Sequence, residues 1–177
     1  MTSKILITGA SGGFGTLTVH TLIAKGHRVV GSMRGPNGRI ASAAAALRKV
    51  GADVVDIDVT NTASVDAAVA TAISNLDGLD VVINNAGVGV LGLQENYTAE
   101  DYQRLFDINV FGVQRVNRAA IPRLRSQGRG PLVHVSSLLG HITIPFYGPY
   151  NSTKWALEAM VENYRSELSG FGIESVL

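Results

Sequence analysis

A chain of 177 residues with a formal net charge of +1 and no cysteine excludes several classes of function at the outset. Near-neutral charge gives no general attraction to nucleic acid or to an anionic membrane surface, and the absence of thiols leaves no disulfide framework, thiolate nucleophile or sulfur-ligated metal. Hydrophobic residues make up 46% and charged residues only 16%, the latter below the ~25% usual for globular domains, so much of the chain is expected to be buried. The amino terminus enters a short apolar strand without a signal-peptide core, and no apolar run approaches the ~18 residues of a membrane span; a cytoplasmic protein is expected.

Lys4 to Thr8 reads as the first strand, broken by Gly9, and Gly15, Val19, Leu22 and Ile23 recur on one face of a helix that Gly26 stops. His27 to Arg34 is a second strand, Gly35 and Pro36 a turn, and Arg39 to Val50 an alanine-rich helix. Val54 to Val59 is a third strand. Asn61 or Thr62 can cap the next helix, where Val65, Ala68, Val69, Ala72, Ile73 and Leu76 keep helical spacing. Val81 to Asn84 is a fourth strand. Thr98 and Asp101 form a capping-box-like start to a long helix reaching about Gln127, expected to bend or break near Pro122. Leu132 to Ser136 is a fifth strand, a helix starts near Tyr150, and Ile173 to Leu177 is a last apolar stretch. The basic residues from Arg115 to Arg129 are expected on the wet side of the long helix and in the loop after it.

Strands alternating with helices of this length demand a parallel sheet, right-handed crossovers and helices on both faces, which is a doubly wound α/β fold. A ligand is then expected at the carboxyl ends of the strands. No repeat, low-complexity tract or linker interrupts the pattern, so residues 1–177 are read as one domain. The apolar stretch that ends at Leu177 would leave an exposed sheet edge, and the chain is expected to be cut short there.

Thr8-Gly9-Ala10-Ser11-Gly12-Gly13-Phe14-Gly15 falls between the first strand and the first helix. In that context glycine allows the tight turn and close backbone approach, and the helix amino terminus offers N–H groups to a pyrophosphate. Selectivity for NAD usually needs an acid roughly 20 residues on, whereas an arginine suits a 2′-phosphate. Between Val29 and Ala52 there is no acid, and Arg34 closes the second strand, so NADP(H) is the expected cofactor, with NAD(H) possible.

Tyr150 and Lys154 share a helix face at i, i+4 spacing. A tyrosine ordinarily titrates near pH 10, and a neighbouring cation favours its ionised form, making it a better acid and base near neutrality. Ser137 lies upstream at the end of the fifth strand. Ser136 alternates away from it and is expected to be structural. His134 is expected to pack within or beside the sheet and His141 to lie in the loop before the catalytic helix. No histidine pair has metal-ligand spacing, so no metal is assigned, and no nucleophile elbow surrounds a serine.

The glycine-rich turn, Asn84-Asn85-Ala86-Gly87, Asn109, Ser137, and Tyr150 with Lys154 together resemble the short-chain dehydrogenase/reductase family across essentially the whole chain. The resemblance implies a three-layer, Rossmann-like domain in which Gly9, Gly13 and Gly15 cradle the pyrophosphate, with Ser11 and Phe14 in the same turn. It implies that Asp58 contacts the adenine beside Val59, and that Asn85, Ala86 and Gly87 stand next to the cofactor. Tyr150 would be the general acid in reduction and the base in oxidation. Lys154 would lower its pKa and hold the nicotinamide ribose, Ser137 would hydrogen-bond the substrate oxygen, and Asn109 would shape its helix so that water links Lys154 to solvent. Tyr147 is the rival phenol. The family also usually continues beyond the sixth strand into a substrate-covering segment, which this sequence lacks.

The expected activity is NADP(H)-dependent hydride transfer on an alcohol, ketone or aldehyde, and the apolar loop Leu138 to Tyr147 suggests an apolar substrate. The alternatives are a non-catalytic dinucleotide sensor or scaffold and an NAD-linked alcohol dehydrogenase of the same fold. By the resemblance, the long helix and the Tyr150 helix would pair with partner copies in a homodimer or homotetramer.

Overall fold

The computed structural model describes residues 2–177. In chain order the elements are β1 (Lys4–Ile7), α1 (Gly13–Ala24), β2 (Arg28–Met33), α2 (Ala41–Lys49), β3 (Asp53–Asp56), α3 (Thr62–Leu76), β4 (Val81–Asn84), α4 (Ala99–Phe106), α5 (Gly112–Gln127), β5 (Gly130–His134), α6 (Gly148–Leu168) and β6 (Ile173–Val176). The strands form one parallel sheet in the order β3-β2-β1-β4-β5-β6. From β1 the chain winds outward to β3, then returns to lay β4 on the other side of β1. Loops leaving β1 and β4 therefore diverge and open a crevice between them, the usual ligand position in such sheets.

Strand residues alternate between two cores, as the pleat requires. Ile5, Ile7, Val29 and Met33 pack under α1 and α2 with Val19, Ala44 and Leu47. Leu6, Val30, Val82, Leu132 and Ile173 face the other way, against α3, α5 and Leu168 at the end of α6. The doubly wound expectation holds, with helices on both faces. Leu6 and Ile7 are fully buried, and each such side chain stabilises the fold by roughly 1.5–3 kcal/mol.

Three sequence expectations are corrected. The first, third and fifth strands stop before Thr8, Val59 and Ser136, because these residues leave the ladder to form the strand-exit loops. The long helix is interrupted by a π-helical turn over Asp107–Phe111, while α5 runs on through Pro122. Proline removes one N–H, which would have bonded the carbonyl of Arg118; that residue is exposed, so water can satisfy the carbonyl. Arg115 is not on the wet side of its helix. Its guanidinium turns inward to Asp107 Oδ1 (2.7 Å) and the Val59 carbonyl (3.0 Å), tying the exit of β3 to the π turn.

A buried polar chain crosses the second core. Asn84 Nδ2 donates to Asn117 Oδ1 (2.8 Å), and Asn117 Nδ2 lies 3.1 Å from His134 Nε2. With Nε2 as acceptor, His134 Nδ1–H donates to the Val176 carbonyl at 3.2 Å, joining β5 to β6. Burial pushes the His134 pKa down, against an opposing pull from the Val176 and Leu132 carbonyls. The unfolded imidazole takes its proton near pH 6.5, the buried one only at lower pH. Stability contributed by this site is thus complete above that value and lost as pH falls below it, by at most ~1.4 kcal/mol per unit. Urea titrations of the wild type and His134→Gln across pH 5–8 should show a shallower acid loss in the variant; equal slopes would remove His134 from this role.

Candidate active site

The glycine-rich turn is built against the β4 exit. Thr8 Oγ1 accepts from the backbone N–H groups of Asn85 (3.1 Å) and Ala86 (3.0 Å), and Asn85 Nδ2 donates to the carbonyls of Thr8 (2.9 Å) and Gly9 (3.1 Å). Gly9 has φ +68°, and a Cβ there would sit 2.8 Å from Ala86 Cα. At Gly15 a Cβ would lie 2.9 Å from both Ala10 Cα and Asn85 Nδ2. Only hydrogen fits at either position.

α1 begins without a side-chain cap at Gly12, whereas Asn61 caps α3 and Thr98 with Asp101 forms a full capping box on α4. The first N–H groups of α1 consequently remain free for an anion. They face a cleft of about 410 Å³ lined by Gly9, Ser11, Gly13, Phe14, Gly15 and Arg34, and on the other wall by Asp58, Val59, Asn85, Ala86 and Gly87. All of the residues expected around the dinucleotide, apart from Tyr150 and Lys154, meet in this one cavity.

Arg34 is 74% exposed at the cleft edge, its Nη1 4.0 Å from Asp58 Oδ2. Asp58 accepts from Thr60 Oγ1 (2.7 Å) and Thr60 N (3.0 Å). The Thr60 hydroxyl first, then its N–H, Arg34 and Arg115, hold the Asp58 carboxyl below the usual range against a smaller desolvation effect. Asp56 Oδ1 accepts from Gly35 N at 2.8 Å and fixes the turn that presents Arg34.

Tyr150 and Lys154 stand in the first turns of α6. The Lys154 ammonium lies 5.7 Å from the Tyr150 ring centroid and donates to the Val135 carbonyl at 2.7 Å, leaving further N–H donors free. Burial lowers its pKa to about 8, with the Glu158 charge opposing the shift. Ser137 follows β5; its Oγ accepts from Leu139 N at 3.2 Å, so its own O–H is available to donate. Ser136 points elsewhere and donates to Glu158 Oε1.

Asn109, buried in the π turn, clamps the loop after β4. Its Oδ1 accepts from Val88 N (2.9 Å), and its Nδ2 donates to Val88 O (2.8 Å) and to Thr153 Oγ1 (3.1 Å). Thr153 in turn donates to the Tyr150 carbonyl at 2.8 Å. Next to Val88, Gly89 runs along the phenol ring, where a Cβ would approach Tyr150 Cδ2 and Cε2 to 3.9 Å. Thr8, Thr153, Asn151 and Glu158 are supporting residues that sequence reasoning passed over. Thr153, on the helix turn begun by Tyr150, offered the one local signal. Among the described residues no group of three or more histidine, aspartate and glutamate side chains converges as metal ligands would, and no helix is long and apolar enough to cross a membrane.

A doubly wound parallel sheet with a glycine-cradled, uncapped helix end at its first strand exit is a Rossmann-like arrangement of the dinucleotide-binding kind. A family model described as short chain dehydrogenase matches residues 3–176, and the chain belongs to the short-chain dehydrogenase/reductase family. It is 38% identical over 173 residues to a 3-ketodihydrosphingosine reductase of Bacteroides thetaiotaomicron, covering 98% of this chain and 61% of that protein. A solved short-chain dehydrogenase from Streptomyces avermitilis shares 33% identity with a TM-score of 0.89, covering 100% of this chain and 64% of that one. An NAD+-bound xylitol dehydrogenase shares 27% identity with a TM-score of 0.88, covering 96% and 66% respectively. The chain thus spans less than two thirds of the length of each.

Replacing Asn109 by alanine leaves the Val88 N–H and C=O and the Thr153 hydroxyl without their shared partner. Unfolding in denaturant should show a loss of about 1–3 kcal/mol, and amide exchange at Val88 should accelerate; unchanged exchange there would refute the clamp.

Proposed function

We propose that this chain acts as an NADP(H)-dependent oxidoreductase that interconverts a carbonyl and an alcohol on an apolar substrate, within the single unit formed by residues 1–177. What supports the reading is the pairing of Tyr150 with Lys154 on α6, Lys154 being bonded to the β5 exit two residues before Ser137, together with a cleft whose glycines and uncapped helix end suit a pyrophosphate. When bound, the nicotinamide dinucleotide supplies the hydride. Gly9, Gly13 and Gly15 with the first N–H groups of α1 hold the phosphates, Arg34 the 2′-phosphate, and Asp58 the adenine.

The chain's own part is to manage the charge that develops on oxygen. The Ser137 hydroxyl and the Tyr150 phenol are donors set in place before reaction, where they lower the barrier most. Tyr150 O–H delivers the proton to the nascent alkoxide, so that carbonyl plus hydride plus proton gives the alcohol; in oxidation the phenolate removes it. Lys154, held at Val135 and partly desolvated, stabilises that phenolate and hands protons on through water beside Asn109 and Val88. The loops after β4 and β5 expose apolar side chains, Leu91, Leu138, Ile144 and Phe146, and Gly92 N–H donates to the Phe146 carbonyl at 2.9 Å, tying the two loops together. Association through α5 and α6 belongs to the same reading, since Phe111, just before α5, and Trp155 on α6 are half exposed.

The similarity to an NAD+-bound enzyme favours a second reading, in which NAD(H) is the cofactor. Against it stand Arg34 and the lack of an acid from Val29 to Ala52. With a panel of apolar ketones, Tyr150→Phe should lower the rate of NADPH oxidation about 100- to 10,000-fold while quenching of protein fluorescence by NADPH persists; retained turnover removes Tyr150 from the proton transfer. Arg34→Asp should raise the KM for NADPH and lower that for NADH. Unaltered selectivity would favour the NAD reading.

A further inference from the structure

Glu158 lies one helical turn beyond Lys154 on the same face of α6, with only 12% of its side chain exposed. A carboxylate so enclosed needs partners to offset its desolvation. Its Oε1 accepts from Ser136 Oγ, and His141 Nε2 stands 3.4 Å away on the solvent side. Gly140 closes over it: a Cβ there would come within 2.9 Å of Glu158 Cγ and Oε1 and 3.0 Å of Ser136 Oγ. The carboxylate is thus walled in by the loop that begins at Ser137.

The spacing of these contacts is informative. Lys154 donates to the carbonyl of Val135, and Ser136, the next residue, donates to Glu158. Consecutive residues of the β5 exit are therefore gripped by residues one turn apart on α6. A single contact would leave the exit free to pivot; two fix both its height along the helix and its rotation. Ser137 is the next residue along. Asn151 completes the anchoring farther on, donating to the carbonyls of Leu139 (3.2 Å) and Ile142 (2.7 Å).

We propose that Glu158 is a positioning residue for the reaction: acting through Ser136, it sets the Ser137 hydroxyl against Tyr150. Its negative charge has a second effect, one turn along the same helix face: it opposes the desolvation of Lys154 and favours its ammonium form. The titratable groups that face it are His141 from the loop and Lys154 from α6. This inference rests on the assignment of Ser137, Tyr150 and Lys154 to the reaction, and a measurement that needs no turnover separates the two.

In protein labelled with [13C]lysine, the Lys154 Cε signal, assigned by its loss in Lys154→Arg, should titrate near 8 in the wild type. Glu158→Gln keeps an oxygen for Ser136 but removes the charge, and should lower that midpoint by about one unit; in the ketone assay the alkaline fall in kcat should move down with it. Ser136→Ala keeps the charge and loses the anchor. It should leave the Lys154 midpoint in place and lower kcat roughly tenfold or more at every pH. An unmoved Lys154 midpoint in Glu158→Gln overturns the electrostatic part, and wild-type kcat in Ser136→Ala overturns the positioning part. If the wild type reduces no ketone, the oxidoreductase reading fails while the titration still decides the link between Glu158 and Lys154.

Discussion

Loops that leave the carboxyl edge of a parallel sheet have lost the ladder bonds that held their backbone, and three asparagine amides here replace them. Asn85 bonds the carbonyls of the glycine turn, Asn109 both polar groups of Val88, and Asn151 the carbonyls of Leu139 and Ile142. An asparagine amide suits this task because its Nδ2 carries two N–H donors on one short, rigid group, and at Asn109 the Oδ1 accepts as well. Each net bond contributes only about 1 kcal/mol, yet leaving a buried backbone group unpaired costs more. The asparagines therefore act less as a source of stability than as a penalty against any other loop arrangement. Everything catalytic in the proposed function depends on that restriction, since the Gly89 backbone lies along the Tyr150 ring and Ser137 opens the loop that Asn151 anchors.

The nucleotide cleft follows the opposite strategy, withholding groups rather than adding them. Side chains are absent at Gly9 and Gly15, where they would strike Ala86 and Ala10, and no side chain caps the start of α1. A helix end left with free N–H groups costs stability that a bound anion can restore. Thr8 and Asn85 keep this uncapped end pressed against the β4 exit, so the crevice at the strand reversal is shaped before any ligand arrives.

Much of the fold was legible because its signals are local. Apolar runs bounded by glycine marked the strands, helical spacing marked α1, α3 and α6, and the capping box at Thr98 marked α4 where it starts. The π turn was hidden, since one widened turn within Ala99 to Gln127 barely disturbs a helical pattern, and Pro122 drew attention as the more familiar breaker. Of the residues in the cleft, the glycine turn was legible from its place after the first strand, whereas Asp58, Val59 and Asn85 to Gly87 were named only through the family resemblance. Contacts such as Ser136 with Glu158, Arg115 with Val59 and Asn109 with Val88 join residues remote in sequence through side chains of ordinary type. No periodicity or spacing distinguishes those residues from surface neighbours, and they became visible only when the elements were packed together.

The central claim is that the Tyr150 phenol meets the oxygen whose carbon receives hydride. A crystal structure of the chain with NADP+ and an unreactive apolar ketone would measure this directly. The account predicts the ketone oxygen about 2.6–3.2 Å from Tyr150 Oη, with Ser137 Oγ as its second donor. A ketone oxygen bound by other groups, with the phenol beyond hydrogen-bond reach, would contradict it.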